Sequence, residues 1–414
     1  MNKNIKMKYP EYFKEFKCIG GKCEDSCCIG WDIDIDKLTF REYYKVKDPH
    51  MKKMFQKNIH NNKYCSSEDI DYGKVKLKEN KRCPFLDENN YCLIYSNVGE
   101  EYLSNVCTSF PRIINKIDGC YEISLDVACP EAARIILLRE EGLKFKESEE
   151  TLGKHIISTE VYTKDKEFKD SPIKYFEKIR SLSIRIIQNR KFNLNERLYK
   201  LGIFINELED EIENNFLNLN NFINNYDIDS NDYEDMNYII YDDEESKMKY
   251  IMQIDFFTKM IHLLNVDRDV DSIKFKEYTK EIIKGFNLDE ENNLINNKEK
   301  YINAFEEFNE KFIDENQYIF ENYLVNFIYK NLFPFSEKES IFDGYMMLLT
   351  RYSFIRFYLI GRYLYGKDES KESAVAFIQA FSKTIEHHKT YLKASLGYIK
   401  KNDFDNIEFA KSFL

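Results

Sequence analysis

Two hydrophobic patterns divide this chain. From about residue 150 onward apolar residues return every three or four positions, the period of a helix that buries one face. The stretch 171–190 shows it: Ser171 offers an N-cap oxygen, Pro172 takes the first helical position, and Ile173, Phe176, Ile179, Leu182 and Ile186 share a side. The same reading predicts helices over about 194–216, 246–265, 272–286, 297–314, 317–332, 338–366, 369–400 and 403–413. Between the first two of these, "NNFLNLNNFINNYDIDSNDYEDMNYIIYDDEES" is dominated by Asn and Asp and reads as a flexible connection near 214–245. No repeat of solenoid period is present.

The first third is patterned in shorter pieces. Leu38, Tyr43, Val46, Met51, Met54 and Phe55 keep helical spacing, but Pro49 should break or kink that helix. "DYGKVKLKEN" alternates like a strand, and Asp87, Glu88, Asn89 and Asn90 supply a turn between two apolar pieces, a hairpin that brings Cys83 and Cys92 together. Pro130 opens a helix with Cys129 at its N-terminus, where free N–H groups favour a thiolate. The expected fold is mainly α. A loop-rich Cys-cluster domain with short helices and strands covers 1–145, and a helical domain covers 146–414.

Composition narrows the setting. A length of 414 residues allows two or three domains, and a net charge of −11 argues against a nucleic-acid binder while suiting a partner with exposed lysines. The start "MNKNIKMKYPEYFKEF" lacks the apolar core of a signal peptide. The apolar stretch "YSFIRFYLIGRYLYG" is interrupted by Arg356 and Arg362, so no membrane span is expected. A reducing cytoplasm follows as the expected location.

That location decides how to read the ten cysteines, all of which fall between Cys18 and Cys129. Clustered thiols in a reducing compartment mean metal or redox chemistry rather than disulfides. The clump Cys18-x4-Cys23-x3-Cys27-Cys28 is followed by Cys83, Cys92, Cys107 and Cys129, whereas Cys65 and Cys120 read as plain buried thiols. With only 14 glycines there is no G-x-G-x-x-G after a strand and no P-loop. The radical-type Cys-x3-Cys-x2-Cys spacing is absent because Cys28 follows Cys27 directly, and ferredoxin spacing is absent too. Zinc sites favour two pairs of cysteines two to four residues apart, so one clump plus single thiols ranks iron–sulfur first and zinc second. Which of Cys27 and Cys28 ligates is left open.

Five other residues come up for ligand binding. Arg112, in "SNVCTSFPR", reads equally as a salt-bridge partner, and Trp31 as a core ring. Glu386, His387 and His388 read first as a polar helix face and second as part of a substrate site; the i, i+4 spacing of the H-E-x-x-H motif is absent.

The blocks "FKCIGGKCEDSCCIGWDIDID", "RCPFLDENNYCLIY", "LSNVCTSFPR" and "SLDVACPEAARIIL", with "NYLVNFIYKNLFPF" and "FSKTIEHH" further on, resemble the flagellin lysine-N-methylase family, one of the cysteine-cluster proteins described as zinc- or iron-chelating. Matching those blocks carries over Cys18, Cys23, Cys27, Cys28, Cys83, Cys92, Cys107 and Cys129; Cys65 and Cys120 match none. The resemblance implies methyl transfer from S-adenosylmethionine to surface lysines of flagellin, in an enzyme carrying an iron–sulfur cluster, expected to be 4Fe-4S. Without a Gly-rich loop the S-adenosylmethionine site is not visible, which leaves Trp31, Arg112, Glu386 and His387 as its weak candidates and the catalytic residues unknown. The alternative is a non-enzymatic metal protein that binds flagellin or another partner as chaperone, regulator or redox sensor.

Overall fold

A computed structural model describes residues 4–79, 81–230, 244–290, 293–337 and 340–414. It divides into two compact units. The first takes the chain up to Ile135 together with Lys144–Tyr162; the second takes Ile136–Leu143 and everything from Thr163. The Cys-rich unit is thus completed by Lys144–Tyr162, which follows the eight residues Ile136–Leu143.

In the first unit a five-stranded sheet runs in the order Phe145–Glu150, Ile5–Pro10, Cys120–Leu125, Arg112–Ile117, Thr159–Val161. Ile5–Pro10 is antiparallel to Phe145–Glu150 and parallel to Cys120–Leu125. The hairpin between Arg112–Ile117 and Cys120–Leu125 turns through Asp118 and Gly119, both at positive φ (49° and 82°), the twist a two-residue hairpin loop requires. Met7, Tyr9, Ile114 and Ile123 form its buried face.

Pro49 begins a helix instead of bending one. Lys37–Lys45 is capped by Asp36, whose carboxylate accepts from the Thr39 N–H at 2.9 Å, and Pro49–Asn58 is capped in the same way by Asp48 at 2.7 Å. Proline at the first helical position gives up an N–H that has no intrahelical partner anyway. Tyr43 and Phe55, one from each helix, stack with centroids 4.0 Å apart and join Met51, Val75, Phe85, Leu86 and Ile94 in a core of their own.

The second unit is helical, as the three-to-four-residue period predicts. Ile341–Gly366 is buried on nearly every face, which its sequence shows as continuous apolarity instead of a stripe. Arg356 lies fully buried within it, donating to the Gln253 side chain at 3.0 Å and the Phe413 carbonyl at 2.8 Å. Among the described residues no helix is long and apolar enough to cross a membrane.

Two further sequence expectations change. The Asn-rich stretch is not wholly a connection: Leu219–Asn225 is helical, and Phe222 and Tyr226 pack on Phe204. The remainder of it, 231–243, lies outside the described residues. The single helix expected over 369–400 is broken into Lys371–Phe381, a π-helical turn Ser382–Glu386 and Lys389–Lys401. His388 restarts it, its Nδ1 accepting from the Tyr391 N–H at 3.2 Å.

Helix Ile273–Gly285 meets helix Ile341–Gly366 at two glycines. A Cβ on Gly285 would strike the Gly361 carbonyl oxygen, and one on Gly361 would strike Ile282 and the Phe286 ring. Overpacking of this kind costs about 1–3 kcal/mol, so Gly285→Ala is expected to lower the melting temperature. Gly397→Ala, in a helix with nothing within 4 Å of the added carbon, is the control and should not lower it. Equal melting curves for the two variants would refute the close-contact account.

Candidate functional site

All ten cysteines are free thiols, and all ten lie in the first unit. Backbone pairing sets the first group. The Cys83 N–H donates to the Cys28 carbonyl at 2.9 Å, and Ile29 is bridged to Arg82. The expected hairpin is present in short form: Leu86 is bridged to Cys92, and the Asp87 N–H donates to the Tyr91 carbonyl at 3.0 Å. Arg82 holds the turn from outside, donating to the Asn90 side chain and the Asp87 carbonyl, both at 2.6 Å. Cys107 arrives on the short helix Asn105–Ser109, where the Ser104 hydroxyl accepts from the Cys107 N–H at 3.2 Å. The buried Asp36 carboxylate, already capping Lys37–Lys45, also accepts from the Asn105 N–H at 2.9 Å.

The thiols of Cys28, Cys83, Cys92 and Cys107 lie near enough to act on one another electrostatically. Burial raises the Cys83 thiol far above its ordinary range, and Cys28, Cys107 and Cys92 add to the rise. Close packing pushes Cys107 up to about 12 although the residue reaches the surface, again with Cys28 and Cys92 contributing. Cys28 alone is lowered, by the hydrogen bond from Cys27, against burial and with help from Ser26 and Arg82. Beneath the patch the buried Tyr43 hydroxyl, which has no hydrogen-bond partner among the described residues, feels Cys107, Cys92 and Cys83 after the larger effect of its own burial.

A second group gathers Cys18, Cys23 and Cys129. Cys18 and Cys23 flank the turn Gly20–Lys22, and that turn packs tightly because a Cβ on Gly21 would strike the Asn89 carbonyl and the Tyr91 ring. Glu24 forms an ion pair at 2.6 Å with Arg134, on the helix Pro130–Leu137 that Cys129 precedes. The N–H groups of Ala132 and Glu131 do favour the Cys129 thiolate, but burial outweighs them and the thiol stands at about 11, with Cys23 and Cys18 adding to the rise. Cys27 feels Cys28, Cys107 and Cys18, so it stands where the groups meet. Among the described residues no three His, Cys, Asp or Glu side chains are placed to hold a single metal ion. Cys65 is no core thiol: it is exposed, its Sγ 3.5 Å from Asp71, in a loop held by that carboxylate through the Ser66 and Ser67 N–H groups. Cys120 is half-buried in the sheet.

The other candidates separate. Trp31 sets its ring edge-on to Phe110, centroids 5.1 Å apart. Arg112 stacks on the Phe16 ring at 5.3 Å and lines a cavity of about 370 Å³, together with Ser109, Glu100, Glu101 and Lys154. Those four partners were not legible beforehand; only Ser109 lies inside a singled-out block. Glu386 belongs to the second unit and is committed to structure, accepting from Tyr323 and Lys330 at 2.8 Å each and from Ser382 at 3.0 Å. Its ion pair with Lys330 is buried. His387 is exposed at the end of that turn.

Comparison with known proteins follows the same division. Residues 180–413, the bulk of the helical unit, match the FliB lysine N-methylase C-terminal domain. The chain is 32% identical to the flagellar biosynthetic protein FliU of Salmonella muenchen over 167 residues, covering 40% of this chain and 96% of that protein. It is also 32% identical over 146 residues to the lysine-N-methylases of Salmonella typhimurium and Salmonella choleraesuis, covering 35% of this chain and 36% of each. The matched stretch thus spans about a third of the length of both lysine-N-methylases. No solved structure matches. A family domain over more than half of the chain, and a relative matched along nearly its whole length, establish that this chain belongs to the FliB lysine N-methylase family.

Proposed function

We propose that the protein transfers a methyl group from S-adenosylmethionine to the ε-amino groups of surface lysines on flagellin. The match of 180–413 to the lysine N-methylase domain carries this reading, and the relative named as a flagellar biosynthetic protein supports a flagellar substrate. The reaction asks for a neutral amine. Its lone pair forms the N–C bond as the sulfonium S–C bond breaks, S-adenosylhomocysteine leaves, and the amine proton passes to a base or to water. Placement in line with the sulfonium and partial desolvation of the amine are the protein's contributions. A net charge of −11 raises the encounter rate with a lysine-bearing surface.

The thiols support an iron–sulfur cluster as the resident group. A single tetrahedral ion needs its sulfurs about 2.3 Å from one centre, an arrangement no described residues offer. A cluster binds each thiolate to a different iron, so it accepts ligands that are neighbours without being in contact. Cys28, Cys83, Cys92 and Cys107 are such a soft, convergent set, and Cys18, Cys23, Cys27 and Cys129 adjoin it. When bound, the cluster would supply positive iron centres that hold these thiolates charged and tie four loop segments together.

Anaerobically purified protein incubated with flagellin and S-adenosylmethionine should give intact-mass steps of one methyl group that map to lysines. An unchanged flagellin mass, with iron and sulfide present in the protein, would sink the methylase reading in favour of a binding or redox-sensing role. Separately, Cys83→Ser and Cys107→Ser should each lower iron and acid-labile sulfide per chain by more than half, while Cys65→Ser leaves both unchanged. Equal metal content in all three would remove the thiol patch from cluster binding.

A further inference from the structure

We propose that the cavity beside Ser109 and Arg112 binds the amino-acid end of S-adenosylmethionine, a zwitterion with one carboxylate and one ammonium group. The inference rests on the methylase reading above and assigns the cofactor's place within the first unit.

The cavity is lined by charges of both signs, and Arg112, Glu100 and Glu101 form no ion pair among the described residues. Arg112 stacks its guanidinium on Phe16 at 5.3 Å and has no carboxylate partner among the described residues. Glu100 and Glu101 also line the space, and among the described residues neither carboxylate is paired with a cation. The only lysine on the wall has its ammonium occupied elsewhere: Lys154 donates to Thr39 Oγ1 at 3.2 Å and to the carbonyls of Glu101 and Leu103 at 2.7 and 3.0 Å. Those bonds hold the segment around Gly153 against the 100–103 turn and so fix the rim.

A third group lacks a partner among the described residues. The Ser109 side chain is 8% exposed, and its hydroxyl makes no hydrogen bond to any of them. A buried hydroxyl left unsatisfied costs about 1–3 kcal/mol; Ser109 and Arg112 line the same cavity, and under this proposal a bound carboxylate accepts from the guanidinium and from the hydroxyl once the serine side chain turns toward it. A volume of about 370 Å³ lies within the range of small-molecule sites. Phe13, Ile114 and Ile123 give the remaining wall an apolar character suited to the uncharged part of the ligand. An ordinary peptide lysine would bring a cation for Glu100 and Glu101 but nothing for Arg112 and Ser109. The zwitterion satisfies both ends.

The test is equilibrium binding to the full chain purified anaerobically, with three probes: S-adenosylmethionine, S-adenosylhomocysteine and methylthioadenosine, which keeps the nucleoside but lacks the amino-acid end. The wild type is expected to bind S-adenosylhomocysteine at least tenfold more tightly than methylthioadenosine. Arg112→Gln and Ser109→Ala should weaken S-adenosylmethionine while leaving methylthioadenosine little changed. If Arg112→Gln melts early, Glu100→Gln with Glu101→Gln should show the same selective loss. S-adenosylmethionine binding untouched by any of these changes, or methylthioadenosine bound as tightly as S-adenosylhomocysteine, would overturn the assignment and leave the methylase reading standing. No binding of S-adenosylmethionine by the wild type would overturn both.

Discussion

Thiolates repel one another, and a fold that gathers eight thiols must control that repulsion. Here burial raises Cys83, Cys92, Cys107 and Cys129, and neighbouring thiols raise Cys83, Cys107 and Cys129 further. Cys28 can fall only because Cys27, Ser26 and Arg82 offset its burial. Under the cluster reading proposed above, a cation among the sulfurs is what lets such a set lose its protons together. The gathering itself falls to side chains that cap loops. Asp36 joins a helix start to the Cys107 helix, Arg82 closes the turn between Cys83 and Cys92, and Glu24 with Arg134 ties the first clump to the helix behind Cys129.

The helical unit solves a different problem. Its apolar helices are so continuous that several charges have no route to water, and each is met by a partner instead. Arg197, almost fully buried, pairs at 2.6 Å with an equally buried Glu321, which also takes two bonds at 2.8 Å from Arg190. Lys330 pairs with Glu386 in the same manner. Removing one member of such a pair leaves a buried charge uncompensated, a penalty of about 3–5 kcal/mol. Glu386 thus has a packing role, its carboxylate accepting from Tyr323, Lys330 and Ser382.

Legibility followed the range of the interactions involved. Helices whose signals are local were readable: Ser171 with Pro172 opens a 3-10 turn that runs into helix Phe176–Ile187, Leu194–Asn214 follows its apolar period, and Ile341–Gly366 its continuous apolar run. Pro49 was misread because its effect depends on Asp48, which turns a breaker into a first residue. The break at His388 was hidden because a histidine ring replaced the usual Asp or Ser cap. Cysteine identities were plain in the sequence, but their grouping rests on pairings such as Cys28 with Cys83 that join distant segments. Cys65 was expected inside and lies outside because Asp71 organises its loop through backbone N–H groups, leaving the thiol at the surface.

The cavity residues were the least visible, for a reason that also links them to the thiols. An unsatisfied hydroxyl is a property of packing, and nothing in "CTSFPR" distinguishes Ser109 from any serine at a helix end. In the folded unit one helical turn carries Cys107 toward the sulfur patch and Ser109 to the wall of the cavity, and strand Arg112–Ile117 begins directly after it with Arg112. That turn is fixed by Ser104 and Asp36 at its start. Its end is braced where Trp31 meets Phe110. The short stretch from Cys107 to Arg112 thus serves the thiols and the cavity wall together, and any shift that orders Cys107 also sets the position of the hydroxyl and the guanidinium. In this unit the geometry of the thiols and the geometry of the cavity are one constraint.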